Sequence, residues 1–164
     1  MNVCFKMSKH KSHEVELPVM NERFANTNDI YQVKALLSAC ELPVDDITPG
    51  HMQHFITFWK ETELAGVVGL EMLGQYALLR SLAVASDFRG LGIGTQLTTC
   101  IEEYALANQV KKLYLLTTTA EGFFVGLGYQ AVDREALPEQ VKTTTEFRTL
   151  CPDNAVGMTK SLSF

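Results

Sequence analysis

Three glycines at alternate positions, Gly90, Gly92 and Gly94, punctuate the run Arg89-Gly90-Leu91-Gly92-Ile93-Gly94-Thr95-Gln96-Leu97. With no Cβ atoms in the way, such a turn lets the backbone approach a ligand closely. The helix it opens offers unpaired N–H groups and the positive end of a dipole, which suits a phosphate or pyrophosphate. Just ahead, Leu82-Ala83-Val84 closes a leucine-rich run that also carries Arg80 and Ser81. A second polar feature lies in the same apolar region, where Glu71 and Arg80 interrupt otherwise hydrophobic strands. A chain that turns back over residues 74–77 sets Glu71 opposite Arg80. One reading of that pair is a cross-strand ion pair worth less than about 1 kcal/mol. The other makes Glu71 a general base, direct or through water, with Arg80 and Ser81 as substrate contacts, Arg80 anchoring an anionic group.

The glycine turn excludes some phosphate ligands. A P-loop needs Gly-Lys-Ser/Thr, and none follows here, which sets a nucleotide hydrolase well behind. A Rossmann turn needs another glycine spacing and an acidic residue after the next strand; Thr117, Thr118 and Thr119 come first, and no carboxylate arrives until Glu121. The pattern that fits is Arg/Gln-x-x-Gly-x-Gly/Ala, filled by Arg89, Gly92 and Gly94. Preceded by Leu82-Ala83-Val84, it resembles the acetyl-CoA site of the GNAT family of N-acetyltransferases. The resemblance implies a pantetheine arm bonded to the backbone near Leu82, Ala83 and Val84. It also implies a pyrophosphate taken by the N–H groups of Arg89, Gly90, Leu91, Gly92, Ile93, Gly94 and Thr95. A neutral amine then attacks the acetyl carbonyl directly, and no metal is called for.

A second stretch adds to the likeness. Ala120-Glu121-Gly122-Phe123-Phe124-Val125-Gly126-Leu127-Gly128-Tyr129 resembles a family helix whose tyrosine protonates the leaving thiolate. Phe124 aligns with that tyrosine, and a phenyl ring donates no proton, which leaves water as the donor. By the same resemblance Thr118, Phe123 and Phe124 are cofactor contacts, with core packing the alternative for one of the two phenylalanines. The run from Leu115 to Phe124, with Glu146-Phe147 and Leu150-Cys151-Pro152, resembles the arsenic-resistance branch of the family. That implies a small acceptor, an amino-acid-like toxin of the phosphinothricin or arsinothricin kind. Two alternatives stay open: a CoA-binding regulatory domain without catalysis, favoured by Phe124, and an enzyme acting on protein N-termini or lysines.

These residues need a scaffold, and 164 residues with 46% hydrophobic and 20% charged content suit one domain with a sizeable core. Residues 14–164 are expected to form it, behind a frayed basic tail over 1–13 with Lys6, Lys9 and Lys11. The net charge of -5 argues against a nucleic-acid partner. No apolar run reaches a membrane span, and no h-region marks a signal peptide, so a cytoplasmic setting is expected. Cys4, Cys40, Cys100 and Cys151 lack metal spacing and read as reduced thiols; His10, His13, His51 and His54 read as solvated or structural.

Along the chain, residues 14–19 read as a first strand. A helix over 30–37 follows cap candidates at 26–29 and ends by Pro43. The loop 42–47 lines the acceptor pocket in the family. Strands at 54–60, 64–72 and 78–84 make an antiparallel meander. An amphipathic helix from Thr95 and a buried parallel strand at 111–116 complete a β-α-β unit. A short helix stopped by Gly128, a first turn at Pro138, a loop over 147–152 and a strand over 155–160 finish the chain. The expected fold is a single α/β domain with a mixed, mostly antiparallel twisted sheet and helices on both faces. The resemblance adds a splay between the cofactor strand and its parallel neighbour, and makes a homodimer plausible.

Overall fold

The computed structural model describes residues 19–150 and 153–163. Among the described residues, seven strands form one sheet in the order β1-β2-β3-β4-β5-β7-β6. They are β1 (Asn21–Phe24), β2 (Phe55–Lys60), β3 (Glu63–Leu73), β4 (Tyr76–Val84), β5 (Lys112–Thr117), β6 (Gln130–Val132) and β7 (Val156–Ser161). Only β4 and β5 pair in parallel; the other neighbours are antiparallel. The meander over β2, β3 and β4 forms where β-branched and aromatic residues run between short polar turns. Its second turn needs only Gly74, at φ 72°, and Gln75. The return to a parallel β5 requires a crossover, supplied by the helix α2 (Ile93–Ala107).

Helices cover both faces. On one, Leu97, Ile101 and Ala105 of α2 bury against Ile56, Phe58, Val68, Leu70 and Leu79. Gly66 permits that close approach, since a Cβ there would sit 2.8 Å from Leu97 Cδ1. On the other face α1 (Ile30–Ala39) buries Val33 and Leu37 with Phe55, Trp59, Val67 and Ala83. Its entry is a 3-10 turn in which the Asn26 side chain accepts from the Asn28 N–H and Asp29 accepts from the Asn26 N–H. Farther along that face Leu78 and Tyr114 pack with Leu137, Val141 of α4 (Glu139–Lys142), and Phe147. The short helix α3 (Glu121–Gly126) ends before Gly128, whose φ of 94° is the left-handed stop expected of it.

The strand expected over 14–19 lies almost wholly outside the described residues, whose first strand is β1. Asn21 to Phe24 alternates poorly, and pairing with β2, at the edge of the sheet among the described residues, forms it. Two sequence expectations are corrected. Residues 147–150 are not loop: they belong to a π-helical turn, Glu146–Leu150, that packs Phe147 beneath the Arg134 guanidinium. The turn after β3 is two residues long, so Glu71 pairs with Leu78 and Arg80 with Gly69. Among the described residues no helix is long and apolar enough to cross a membrane.

Glu22 of β1 is tucked against Cys100 and Glu103, and its Oε1 is buried with no hydrogen-bond partner. Burial raises its pKa, helped by Glu103 and opposed by a hydrogen bond to Cys100. The folded state therefore holds a proton that the unfolded chain releases above about pH 4.5. Its stabilising share is complete below that value and is lost as pH rises through the folded pKa. Glu22→Gln is expected to raise Tm at pH 7 by a few degrees, the effect of about 1 kcal/mol in a domain of this length. The gain should vanish near pH 4, which calorimetry at the two pH values measures.

Candidate active site

The site is built where β4 leaves its neighbours. Val67 pairs with Ala83 and Gly69 with Arg80, so Ser81 and Leu82 together face the single residue Val68. Ser81 takes up the extra length in the left-handed region at φ 58°, a conformation that costs about 1–2 kcal/mol without glycine. The parallel ladder to β5 stops at Leu78 and Tyr114. Beyond that point β4 has an open edge, the splay expected from the resemblance.

A cleft of about 180 Å³ lies beside this edge, lined by Val84, Phe88, Arg89, Gly90, Gly92, Ile93, Gly94, Thr95 and Phe123. Gly92, at φ 79°, is the N-cap of α2 and has no side chain to cap it. The first intrahelical bond runs from the Gln96 N–H to the Gly92 carbonyl, so the N–H groups of Ile93, Gly94 and Thr95 are left for a ligand. Arg89 donates from Nε to the Val84 carbonyl at 3.2 Å and from Nη2 to the Cys40 thiol at 3.6 Å. A Cβ on Gly94 would lie 3.5 Å from the Phe123 ring and 3.8 Å from Val84 Cγ2, inside the cleft. Gly94→Val is therefore expected to fill the cradle with little strain. It should raise the KM for acetyl-CoA about tenfold or more, the cost of displacing one or two backbone–phosphate bonds, and leave Tm nearly unchanged. Steady-state kinetics and a thermal melt check both.

The side chains of the other expected cofactor residues do not line the cleft, although Leu82 and Ala83 lie on the open edge of β4. Leu82 and Leu91 pack against the core, Ala83 is buried opposite Val67, and Thr118 is exposed beyond β5. Phe124 is buried in the main core, edge-on to Tyr129 and Phe123, while Phe123 reaches the cleft. Core packing thus holds for Phe124, because α3 turns successive residues to different sides.

On the α1 face a second cluster surrounds Arg80, which is 2% exposed. Its Nη1 donates to Glu71 Oε1 at 2.6 Å and to Asp46 Oδ2, its Nη2 to Asp46 Oδ1 at 2.8 Å, and its Nε to Ser81 Oγ at 3.1 Å. Burial works against its charge, yet Asp46, Glu146 and Glu71 outweigh it and raise its pKa. Burial likewise pushes the Asp46 carboxyl up, but Arg80 overrules it and holds it below the usual range. Glu71 and Arg80 are thus brought together diagonally, as same-face neighbours, rather than directly opposite. Four of the five N–H groups of Arg80 are spent within the protein. With one N–H left and only 2% of its surface exposed, Arg80 offers little to a substrate anion, and the Ser81 hydroxyl is turned to Arg80 as well.

Asp46 and His51 were missed from the sequence. The one available signal was Asp45-Asp46 in the loop after α1, an acidic pair with no nearby cation in sequence. His51 lies in the 3-10 helix Pro49–His54, with Nε2 4.0 Å from Glu71 Oε1; His54 instead bonds the Tyr104 hydroxyl at 2.7 Å. Asp46, His51 and Glu71 bring donor atoms within 4.8 Å of one another, but Arg80 already supplies the cation that both carboxylates bind.

A mixed sheet that opens beside an uncapped, glycine-started helix is the kind of site an acyl-CoA-type transferase needs. The acetyltransferase (GNAT) family model matches residues 21–129, and the chain belongs to that family as an N-acetyltransferase. It is 25% identical over 151 residues to an uncharacterized N-acetyltransferase of Chlorobaculum tepidum, covering 88% of this chain and 96% of that protein. The fold is similar to N-acetylglutamate synthase of Neisseria gonorrhoeae complexed with CoA and N-acetyl-glutamate (TM-score 0.78, 20% identity, 91% of this chain). The chain spans 36% of that synthase's length. A Mycobacterium tuberculosis protein in complex with CoA is also similar (TM-score 0.74, 19% identity, 87% of this chain and 99% of that one).

Proposed function

We propose that this N-acetyltransferase moves the acetyl group of acetyl-CoA to the amino group of a small, amino-acid-like acceptor, with Glu71 as the base. The observation that carries the reading is the cradle at Gly92 and Gly94, where the uncapped N-terminus of α2 meets the open edge of β4. The N–H groups of Ile93, Gly94 and Thr95 suit a pyrophosphate, and Val84 and Phe123 suit the pantetheine arm. Acetyl-CoA supplies an activated thioester. Glu71 takes a proton from the acceptor ammonium and passes it to solvent, Arg80 positions Glu71, and water protonates the departing thiolate. A C–N bond forms as the C–S bond breaks.

An amino-acid-like acceptor is supported by the likeness to the arsenic-resistance branch and by the N-acetyl-glutamate bound in the similar synthase. The phosphinothricin or arsinothricin class is the narrower form of the reading. Because Arg80 is engaged, the acid group of such an acceptor binds elsewhere, and Arg80 acts on substrate through Glu71. Cys40 and Cys100 are in no disulfide, which accords with a cytoplasmic setting, and pairing of two copies is compatible with it.

Calorimetry with acetyl-CoA, then CoA release against glutamate, phosphinothricin and a lysine-bearing peptide, tests the whole reading. Binding with turnover on an amino acid is expected. Turnover on the peptide alone would overturn the acceptor class, and no binding would overturn the cradle.

A further inference from the structure

We propose that His51 is a positioning residue that aims the Glu71 carboxylate, turning its Nε2 towards the same oxygen that Arg80 binds. The inference rests on the reading of Glu71 as the base. His51 is the third residue of the 3-10 helix Pro49–His54, and its ring folds back on the residue before that turn. The Thr48 backbone N–H lies 3.0 Å from its Nδ1, and the Thr48 hydroxyl also lies 3.0 Å away. A backbone N–H can only donate, so Nδ1 accepts and the proton of the neutral ring sits on Nε2. That Nε2–H lies 4.0 Å from Glu71 Oε1, too far for a hydrogen bond but close enough for the dipole to act on the charge. The other tautomer would turn a lone pair towards the carboxylate. The cap of a surface turn thereby fixes which face of an imidazole the base meets.

The charge balance gives this contact its importance. Arg80 from β4 faces Glu71 directly, but its single charge also serves Asp46 from the loop after α1 and Glu146 from the π-helical turn. Asp46, whose carboxylate lies within 4.8 Å of Glu71, repels the Glu71 charge. His51 turns the positive end of its N–H dipole to this shared cluster, within 4.8 Å of both the Glu71 and Asp46 carboxylates. It also ties the 41–54 connection, which holds Asp46, to the strand that carries the base.

Two variants of the full chain separate positioning from capping. His51→Asn can still accept from the Thr48 N–H, as Asp29 does from Asn26 at 2.8 Å, but its amide stops short of Glu71. His51→Gln can cap and still extend its amide towards Glu71. The readout is the 13C titration of the Glu71 carboxyl, its resonance identified by loss in Glu71→Gln. His51→Asn is expected to raise the midpoint by about half a unit or more, and His51→Gln to restore it. An unchanged midpoint in His51→Asn, or an equal rise in both variants, overturns the proposal. Should His51→Asn fail to fold, 15N NMR of the wild-type ring decides: a proton on Nδ1 overturns it, and one on Nε2 supports it. Full turnover by Glu71→Gln would instead overturn the base reading, and with it the catalytic meaning of His51, whatever the titration gives.

Discussion

Arg80→Met is expected to destabilise the protein by about 3–5 kcal/mol at pH 7, the cost of stripping one partner from a buried ion cluster. Methionine replaces the stem without difficulty, so the loss is electrostatic. Asp46 and Glu71 would keep their burial and lose the guanidinium that now binds them. At roughly 2–4 °C per kcal/mol for a chain of this size, Tm should fall by about 10 °C. The pH dependence identifies the cause. Arg80 holds Asp46 below its usual range, so in the wild type the stabilisation is complete above about pH 3.8. It is lost as pH falls through the lower folded pKa. In the variant the carboxyls can neutralise at higher pH, so the gap to wild type should narrow in acid. Urea melts at pH 7 and pH 4 measure both values. A constant gap would point to lost packing, and no gap at pH 7 would remove Arg80 as the keystone of the cluster. Arg80→Lys should fall between, since an ammonium keeps the charge but cannot make the bidentate bond to Asp46.

Glu71→Gln is expected to lower kcat about 10²–10⁴-fold, the usual contribution of a positioned base. The substitution is close to isosteric, and its amide oxygen can still accept from Arg80 Nη1, so the fold should survive. Acetyl-CoA affinity should stay near wild type, because the cradle lies at the α2 N-terminus and Glu71 is not among its lining residues. The variant's rate should climb with pH as the acceptor amine loses its proton to bulk solvent unaided. Thiol-release assays from pH 6 to 10, with one acceptor throughout, test all three expectations. A rate within about threefold of wild type at pH 7 would remove the base role. A lost rate together with weakened acetyl-CoA binding would mean that the substitution had deformed β3 and β4 instead.

The sequence by itself determined the parts of this protein that depend on neighbours in the chain. The glycine turn, the helix it opens, the meander, the parallel strand after α2 and the Gly128 stop are all local grammar: glycine at positive φ, apolar spacing, polar turns. Family membership followed from the same segment. Tertiary structure decided what depends on register and on the facing of side chains. One two-residue turn moved Glu71 from opposite Arg80 to its diagonal neighbour, and β4 carries a bulge against β3 at Ser81, beyond the point where its ladder to β5 ends. The helical turn of α3, not the aromatic pair itself, sent Phe124 to the core and Phe123 to the cleft. Asp46 and His51 reach Arg80 and Glu71 from segments 34 and 20 residues away in sequence, where no local pattern links them. Buried charge seeks its counter-charge through space, so only the packing of the 41–54 connection on the sheet could show which carboxylates Arg80 serves.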